Sequence, residues 1–135
     1  MALNIRRVVT GHDAQGRAVV ASDEICKNAI TGRPGHQRCD IWSTPQATFR
    51  FVEYQPGVAP RSHRTETIDY AVVLSGEIEM ELDGAVVRLR AGDVLVQQGT
   101  IHNWLNRGTQ PCVIAFVLVA AQPVERGGKV LGALG

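Results

Sequence analysis

Short apolar stretches alternate with turn-forming residues along most of this chain. After residue 46, apolar and β-branched residues concentrate in segments that glycine, proline and asparagine separate. The spacing of these segments is typical of a β-sandwich or barrel. No segment has a periodicity that predicts a helix. The chain is therefore predicted to be all-β, with strands in "ATFRFVEYQPG", "IDYAVVLSGEIEMELDG", "AVVRLRAGDVLVQQG", "IHNWLN" and "PCVIAFVLV".

The first 46 residues divide into two parts. "IRRVV" and "RAVVAS" flank the turn-rich "TGHDAQG", which predicts a hairpin. From Ser22 to Gln46 the alternation fades, and only a short strand around Asp40–Ser43 is expected. This stretch is predicted to be a long excursion over the surface or over the mouth of the fold. The expected single domain thus has residues 1–46 as hairpin and excursion, 47–120 as barrel core, and 121–135 as a glycine-rich C-terminal tail.

One hairpin is specified residue by residue. The Asp83-Gly84 pair favours a two-residue type I′ turn. Counting outward gives an apolar inner face and an outer face of charged residues, whose exposed pairs contribute about 0.2–1 kcal/mol each. The predicted pairs are Leu82–Ala85, Met80–Val87 and Ile78–Leu89 inside, and Glu81–Val86, Glu79–Arg88 and Glu77–Arg90 outside.

Composition narrows the classes of function. The chain has 135 residues, and fourteen basic residues against thirteen acidic ones give a net charge of +1. Such a balance gives no electrostatic surface for nucleic acid or an anionic membrane, so neither partner is expected. The longest apolar run, "CVIAFVLVAA", is about half the length of a membrane-spanning helix.

The cysteines and the N-terminus indicate a compartment. Cys26, Cys39 and Cys112 are scattered and odd in number, which is typical of free thiols in a reducing environment. The N-terminal "MALNIRRVVTGHD" has no signal-peptide core. We therefore expect a soluble, cytoplasmic protein.

Two groups of chemically capable residues follow the strand period. Alternation places His63, Thr65, Thr67 and Asp69 on one face of a strand, and His102, Trp104 and Asn106 on one face of another. Two histidines and a carboxylate on inward faces predict a shared pocket.

These residues stand in two motifs that resemble those of the cupins. The first cupin motif is G-x5-H-x-H-x3/4-E-x6-G, and the second is G-x5-P-x-G-x2-H-x3-N. This chain matches the intervals of the first, but Thr65 replaces the second histidine and Asp69 the glutamate. The second is one residue short between its glycines, with Gln97 in place of proline. The matching positions are Gly57, His63, Thr65, Asp69 and Gly76, then Gly92, Gly99, His102 and Asn106.

The resemblance implies a small antiparallel barrel, also called a double-stranded β-helix or jelly roll, which is often a homodimer and often holds a divalent metal. The ligands left here would be His63, Asp69 and His102, a set similar to the facial triad of non-haem iron sites. One Fe, Mn, Ni or Zn ion is then a possible cofactor; otherwise none is expected. Whether residues 1–46 pack on their own barrel or exchange with a partner subunit stays open.

Three function classes remain open at this stage. The first is His-centred acid–base or metal-assisted chemistry on a small oxo, carboxylate or aromatic compound, of the lyase, dehydratase, decarboxylase or isomerase type. In its metal-free form, Asp69 would hydrogen-bond His63 and fix its tautomer. The second is a metal-dependent dioxygenase. The third is a sensor or carrier that binds a small molecule without transforming it.

Four further residues are candidate substrate contacts: Arg50, Thr65, Trp104 and Asn106. Arg50 would anchor a carboxylate, or would be a surface arginine on an edge strand. Trp104 would be core or the flat wall of the pocket. His12 and His36 are expected to be exposed and inert, and Trp42 would cover the pocket mouth.

Overall fold

The computed structural model describes residues 3–135, and these residues form β-strands and no helix. The all-β prediction is confirmed. The strands are β1 (Arg6–His12), β2 (Ala18–Ile25), β3 (Ala29–Thr31), β4 (His36–Ser43), β5 (Ala47–Tyr54), β6 (Thr67–Ser75), β7 (Glu77–Leu82), β8 (Ala85–Arg90), β9 (Val94–Gln98), β10 (Asn103–Leu105), β11 (Cys112–Ala120), β12 (Val124–Arg126) and β13 (Lys129–Leu131).

Two sheets enclose the core. The larger has the order β3-β4-β5-β11-β6-β9, and the smaller has the order β10-β7-β8. Apolar side chains from both sheets pack into one buried cluster, including Val52 and Ile114 from the larger sheet and Ile78, Met80 and Trp104 from the smaller. Two facing antiparallel sheets around one core are the architecture expected of the double-stranded β-helix.

The hairpin of β7 and β8 has the predicted register at every pair, from Leu82–Ala85 to Glu77–Arg90. Gly84 has φ 73°, as the tight turn requires. Ile78, Met80 and Leu89 are buried. Ala85 and Val87 are exceptions, with Val87 39% exposed, because β8 is the edge strand of its sheet.

The predicted excursion over residues 22–46 is wrong for much of its length. The second strand continues to Ile25, and β3 and β4 join the larger sheet, where β4 lies between β3 and β5. Strand β4 was hidden because its cavity-facing positions are polar rather than apolar. His36 and Arg38 line a cavity, while Cys39 and Ile41 pack in a second apolar cluster with Cys26.

A hairpin lies toward each end of residues 3–135. Strands β1 and β2 pair antiparallel, which confirms the predicted N-terminal hairpin. The C-terminal tail folds into the β12–β13 hairpin, and Leu134 then pairs with Arg64. The three cysteines are free and buried. No helix among residues 3–135 is long and apolar enough to cross a membrane.

Candidate functional site

A cavity of about 90 Å³ lies beside the buried core, among strands of both sheets. The structure brings six of the seven predicted site residues to its wall: Arg50, His63, Thr65, Asp69, His102 and Trp104. Further polar residues at the wall were not among the predicted site residues: Arg33, His36, Arg38, Arg61 and Gln97. The cavity therefore combines imidazoles, guanidiniums and a carboxylate.

The two motif histidines face each other across an isolated antiparallel bridge. His63 and His102 exchange both backbone hydrogen bonds, each with an N···O distance of 3.0 Å. Their rings lie in contact, with centroids 4.3 Å apart. This pairing fixes the two imidazoles side by side although neither residue belongs to a longer strand.

A chain of hydrogen bonds runs from Thr65 to His102. The hydroxyls of Thr65 and Thr67 are 2.7 Å apart, and Thr67 donates to Asp69 Oδ1 at 2.6 Å. Gln97 Nε2 donates to Asp69 Oδ2 at 3.0 Å and lies 3.2 Å from His102 Nε2. Asp69 and Gln97 meet because they are directly opposed in the register of β6 and β9.

Proton positions along this chain follow from its chemistry. An ionised Asp69 only accepts hydrogen bonds, so Gln97 must turn its amino group, not its carbonyl, toward Asp69. The same amino group then donates to His102 Nε2, which must be unprotonated. His102 Nδ1 consequently carries the proton and donates to Thr100 O at 2.9 Å. Gln97 is 3% exposed, and its Oε1 is buried without a partner.

The predicted hydrogen bond between Asp69 and His63 is wrong. Both carboxylate oxygens of Asp69 are engaged by Thr67 and Gln97, and the carboxylate reaches His102 through Gln97. His63 Nδ1 instead lies 3.3 Å from Arg61 O. With the proton on Nδ1, His63 keeps a free lone pair on Nε2.

Burial favours the neutral form of all three histidines at the cavity. Burial, reinforced by the neighbouring His102, lowers the pKa of His63 to about 4. Burial, with the charges of Arg33 and Arg38, lowers the pKa of His36 to about 4 as well. Burial also lowers the pKa of His102, against an opposing effect of Asp69. His36 is thus a cavity residue and not the exposed, inert histidine that was expected.

Arginines surround these imidazoles. Arg50 lies in β5, an interior strand, so the interpretation as an edge-strand arginine is wrong. Its Nε donates to Asp40 Oδ1 at 2.5 Å, which neutralises it. No Asp or Glu side chain among residues 3–135 forms a salt bridge with Arg33, Arg38 or Arg61, which also line the cavity.

The expected metal ligands do not fit a divalent ion in this arrangement. No three His, Cys, Asp or Glu side chains of the described residues converge as a metal site. Gln97 lies between Asp69 and His102 and hydrogen-bonds the very atoms, Asp69 Oδ2 and His102 Nε2, that would bind the ion. Thr65 supplies a hydroxyl where imidazole would be the stronger ligand. The donor set His63, Asp69 and His102 is therefore arranged as a hydrogen-bonded network.

Trp104 and Asn106 have different surroundings. Trp104 is both core and cavity wall: it is buried against Tyr54 and Phe116, and its ring lies 6.1 Å from that of His102. Asn106 does not line the cavity. Its amide donates to Tyr54 O and Gln110 O and accepts from Gly108 N, so it holds the turn after β10.

Trp42 and His12 lie outside the two motifs and away from the cavity. Trp42 is 52% exposed and is not part of the cavity wall, so it does not have the predicted covering position. His12 is exposed in the N-terminal hairpin, as expected. Of the residues missed, His36 and Arg38 had one available signal, the two-residue spacing of polar side chains before Cys39.

Known proteins resemble this chain in sequence and in fold. The Cupin domain family matches residues 50–119. "Phomopsin biosynthesis cluster protein D" of Diaporthe leptostromiformis is 46% identical over 93% of this chain and 84% of its own length. "Cupin-domain-containing oxidoreductase fogC" of Aspergillus ruber is 32% identical over 91% of this chain and 76% of its own length. The chain spans about half the length of two further relatives, 47% and 49%.

A solved structure gives the same result for the fold. KdgF from Halomonas sp. superposes with a TM-score of 0.59 and 27% identity, over 69% of this chain and 88% of that protein. The family match and the relative at 46% identity cover the strands that carry both motifs. This chain belongs to the cupin family.

Proposed function

We propose that this cupin is an enzyme that moves a proton on a small oxo compound by metal-independent acid–base chemistry, of the isomerase, lyase or decarboxylase type. The observation that carries the proposal is the hydrogen-bond chain from Asp69 through Gln97 to His102, beside a His63 whose Nε2 is free. This geometry places an unprotonated imidazole nitrogen where it can accept a proton from a molecule in the cavity.

In this proposal His63 Nε2 is the base. It takes a proton from a carbon next to a carbonyl: the C–H bond breaks, its electron pair forms a C=C bond, and the carbonyl oxygen becomes an enolate. Positive charge from Arg33 and Arg61, which acts on His63, would stabilise that oxygen. Return of the proton to another carbon gives isomerisation, and departure of a β-hydroxyl gives dehydration.

Relatives support a catalytic assignment at a coarse level. Three of them are named as biosynthesis cluster proteins and four as cupin-domain-containing oxidoreductases. Such names favour an enzyme acting on a small molecule over a passive structural role. They also favour a second candidate, an oxidoreductase, which an oxygen-consumption assay with the same substrates would test.

Deuterium exchange tests the proposal directly. Proton NMR in D₂O follows loss of the C–H signals of pyruvate and of uncharged hydroxyacetone, with wild type, His63→Gln and His12→Gln. We expect the wild type and His12→Gln to exchange at least one probe, because His12 is an exposed hairpin residue. His63→Gln should lose the activity, since the amide cannot accept the proton.

Other outcomes separate the remaining classes. Exchange at the wild-type rate by His63→Gln, or no exchange of either probe by wild type, would contradict the proposal. Ligand-dependent thermal stabilisation without turnover would favour the sensor or carrier. Homodimer formation and a cytoplasmic location stay predictions, and sedimentation and cell fractionation test them.

A further inference from the structure

The cavity wall carries more positive charge than its acidic residues neutralise. Four arginines line it, and Asp69 is its single lining carboxylate among residues 3–135. The two carboxylate oxygens of Asp69 accept hydrogen bonds from Thr67 and Gln97. Asp40 forms a salt bridge with Arg50 only. The histidines add no compensating negative charge. Positive charge in a small recess attracts an anion more strongly than the same charge on an open surface.

Among the four lining arginines, Arg38 is the one whose side chain donates no hydrogen bond. Arg33 Nε donates to Ala59 O, and Arg61 donates to Gly135 O. Arg38 is half-buried in β4, and its Nε is buried without a partner. A partly desolvated guanidinium without partners is unfavourable, and a carboxylate would satisfy it with two parallel hydrogen bonds.

A second unsatisfied group lies at the same wall. Gln97 Oε1 is buried and accepts no hydrogen bond, because its amino group is committed to Asp69 and His102. This oxygen requires a donor, such as a hydroxyl. Arg38 and Gln97 both line this recess, and each has a buried polar atom without a partner, Arg38 Nε and Gln97 Oε1.

The size of the recess limits what can fill it. A volume of about 90 Å³ corresponds to roughly three water molecules of liquid volume. A carboxylate with two or three further heavy atoms occupies such a space, and a longer molecule must extend through the mouth.

From these features we propose that the cavity selects a small hydroxy carboxylate, or the carboxylate end of a larger one, with its carboxylate on Arg38 and its hydroxyl on Gln97 Oε1. This rests on the proposed function, for which it names the substrate class. It also reassigns the carboxylate anchor from Arg50, which Asp40 occupies, to Arg38.

Three probes of similar size test each half of the proposal. Lactate has both the carboxylate and the hydroxyl, propionate lacks the hydroxyl, and lactamide lacks the charge. Binding is measured by NMR titration of the protein amides for wild type, Arg38→Gln and Arg88→Gln. Arg88 is the control because it is 62% exposed, pairs with Glu79 and lies outside the cavity.

We expect wild type and Arg88→Gln to bind lactate more tightly than either other probe. Arg38→Gln should bind lactate about tenfold or more weakly, as expected for loss of a hydrogen-bonded charge pair. Should Arg38→Gln fail to fold, the salt dependence of the unaltered protein decides: affinity for lactate falls with added NaCl, and affinity for lactamide does not.

Equal affinities for lactate and lactamide, unchanged binding by Arg38→Gln, or no binding of lactate would each overturn the inference. These failures are distinct from failure of the proposed function. Exchange of uncharged hydroxyacetone without selective lactate binding would leave proton transfer intact and remove the anion site. Selective lactate binding without any exchange would keep the anion site and remove the catalytic role.

Discussion

Asp69→Asn is the substitution to which the hydrogen-bond network is most sensitive. The new amide occupies the same space, and its oxygen can still accept from Thr67. Its amino group, however, would face the Gln97 amino group across the present 3.0 Å contact. Two donors cannot share this contact, so either the Gln97 carboxamide turns over, or the asparagine amide turns over and donates to the Thr67 hydroxyl, which then donates to Thr65.

If the Gln97 carboxamide turns over, the hydrogen bond between Gln97 and His102 changes direction. The carbonyl of Gln97 would then face His102 Nε2, which must take a proton to donate. His102 Nδ1 would lose its proton and its bond to Thr100 O, now 2.9 Å long. In either case the group at position 69 is no longer charged and its hydrogen bonds are weaker, so we expect the free energy of unfolding to fall by about 1–3 kcal/mol. Because His63 rests against the His102 ring, displacement of that ring should slow exchange about 10²-fold.

Three measurements follow this change. Nitrogen-15 NMR reports the tautomer of His102, and urea denaturation gives the free energy of unfolding. Deuterium exchange gives the rate of proton transfer on pyruvate and hydroxyacetone. Asp93→Asn is the matched control, since Asp93 accepts from Arg90 N in an exposed turn away from the cavity. A variant Asp69→Asn with the original His102 tautomer and the wild-type rate would refute the reasoning.

Three further predictions concern stability. His63 and His36 have pKa values of about 4 when folded and an ordinary 6.5 when unfolded, so the unfolded chain binds more protons between these values. The free energy of unfolding should therefore fall as pH drops from about 6.5 to 4, by about 1–2 kcal/mol per histidine after allowance for solvent screening. Urea denaturation at a series of pH values measures this fall, and His36→Gln should lose less stability over the same pH range than wild type does. Asn106→Ala removes one buried and two partly buried hydrogen bonds and should cost about 2–4 kcal/mol without changing lactate affinity; an equally stable variant would contradict the turn-holding role. Gly76→Ala would drive its methyl group into the Pro111 carbonyl and should cost about 2–4 kcal/mol, against about 1–2 kcal/mol for Gly84→Ala, which has open space; equal losses would contradict this.

The sequence predicts those parts of the fold in which local chemistry is sufficient. Asp83-Gly84 and the apolar spacing specify the β7–β8 register, and every predicted pair is present. The motif spacing likewise predicts that His63, Asp69 and His102 share a pocket wall, because alternation within a strand needs no knowledge of distant elements.

Long-range pairing accounts for what could not be predicted. Gln97 reaches Asp69 only through the β6–β9 register, so the spacing within either segment gives no sign that it separates Asp69 from His102. The first half of strand β4 was missed because its cavity-facing residues line a polar recess rather than an apolar core, whereas the second half coincides with the predicted strand around Asp40–Ser43. Arg38 and His36 look like loop residues until β5 is placed beside them.

The dependence of the exchange rate on metal tests the central claim most directly. Deuterium exchange of pyruvate and hydroxyacetone is measured before and after chelator treatment, and again after addition of Fe(II), Mn(II), Ni(II) or Zn(II), with metal content determined on the same samples. We predict one unchanged rate throughout, lost only in His63→Gln. The account would be contradicted if activity disappeared with the metal and returned with one of these ions. The metal content would then be near-stoichiometric in wild type and absent from a His63→Ala/His102→Ala variant.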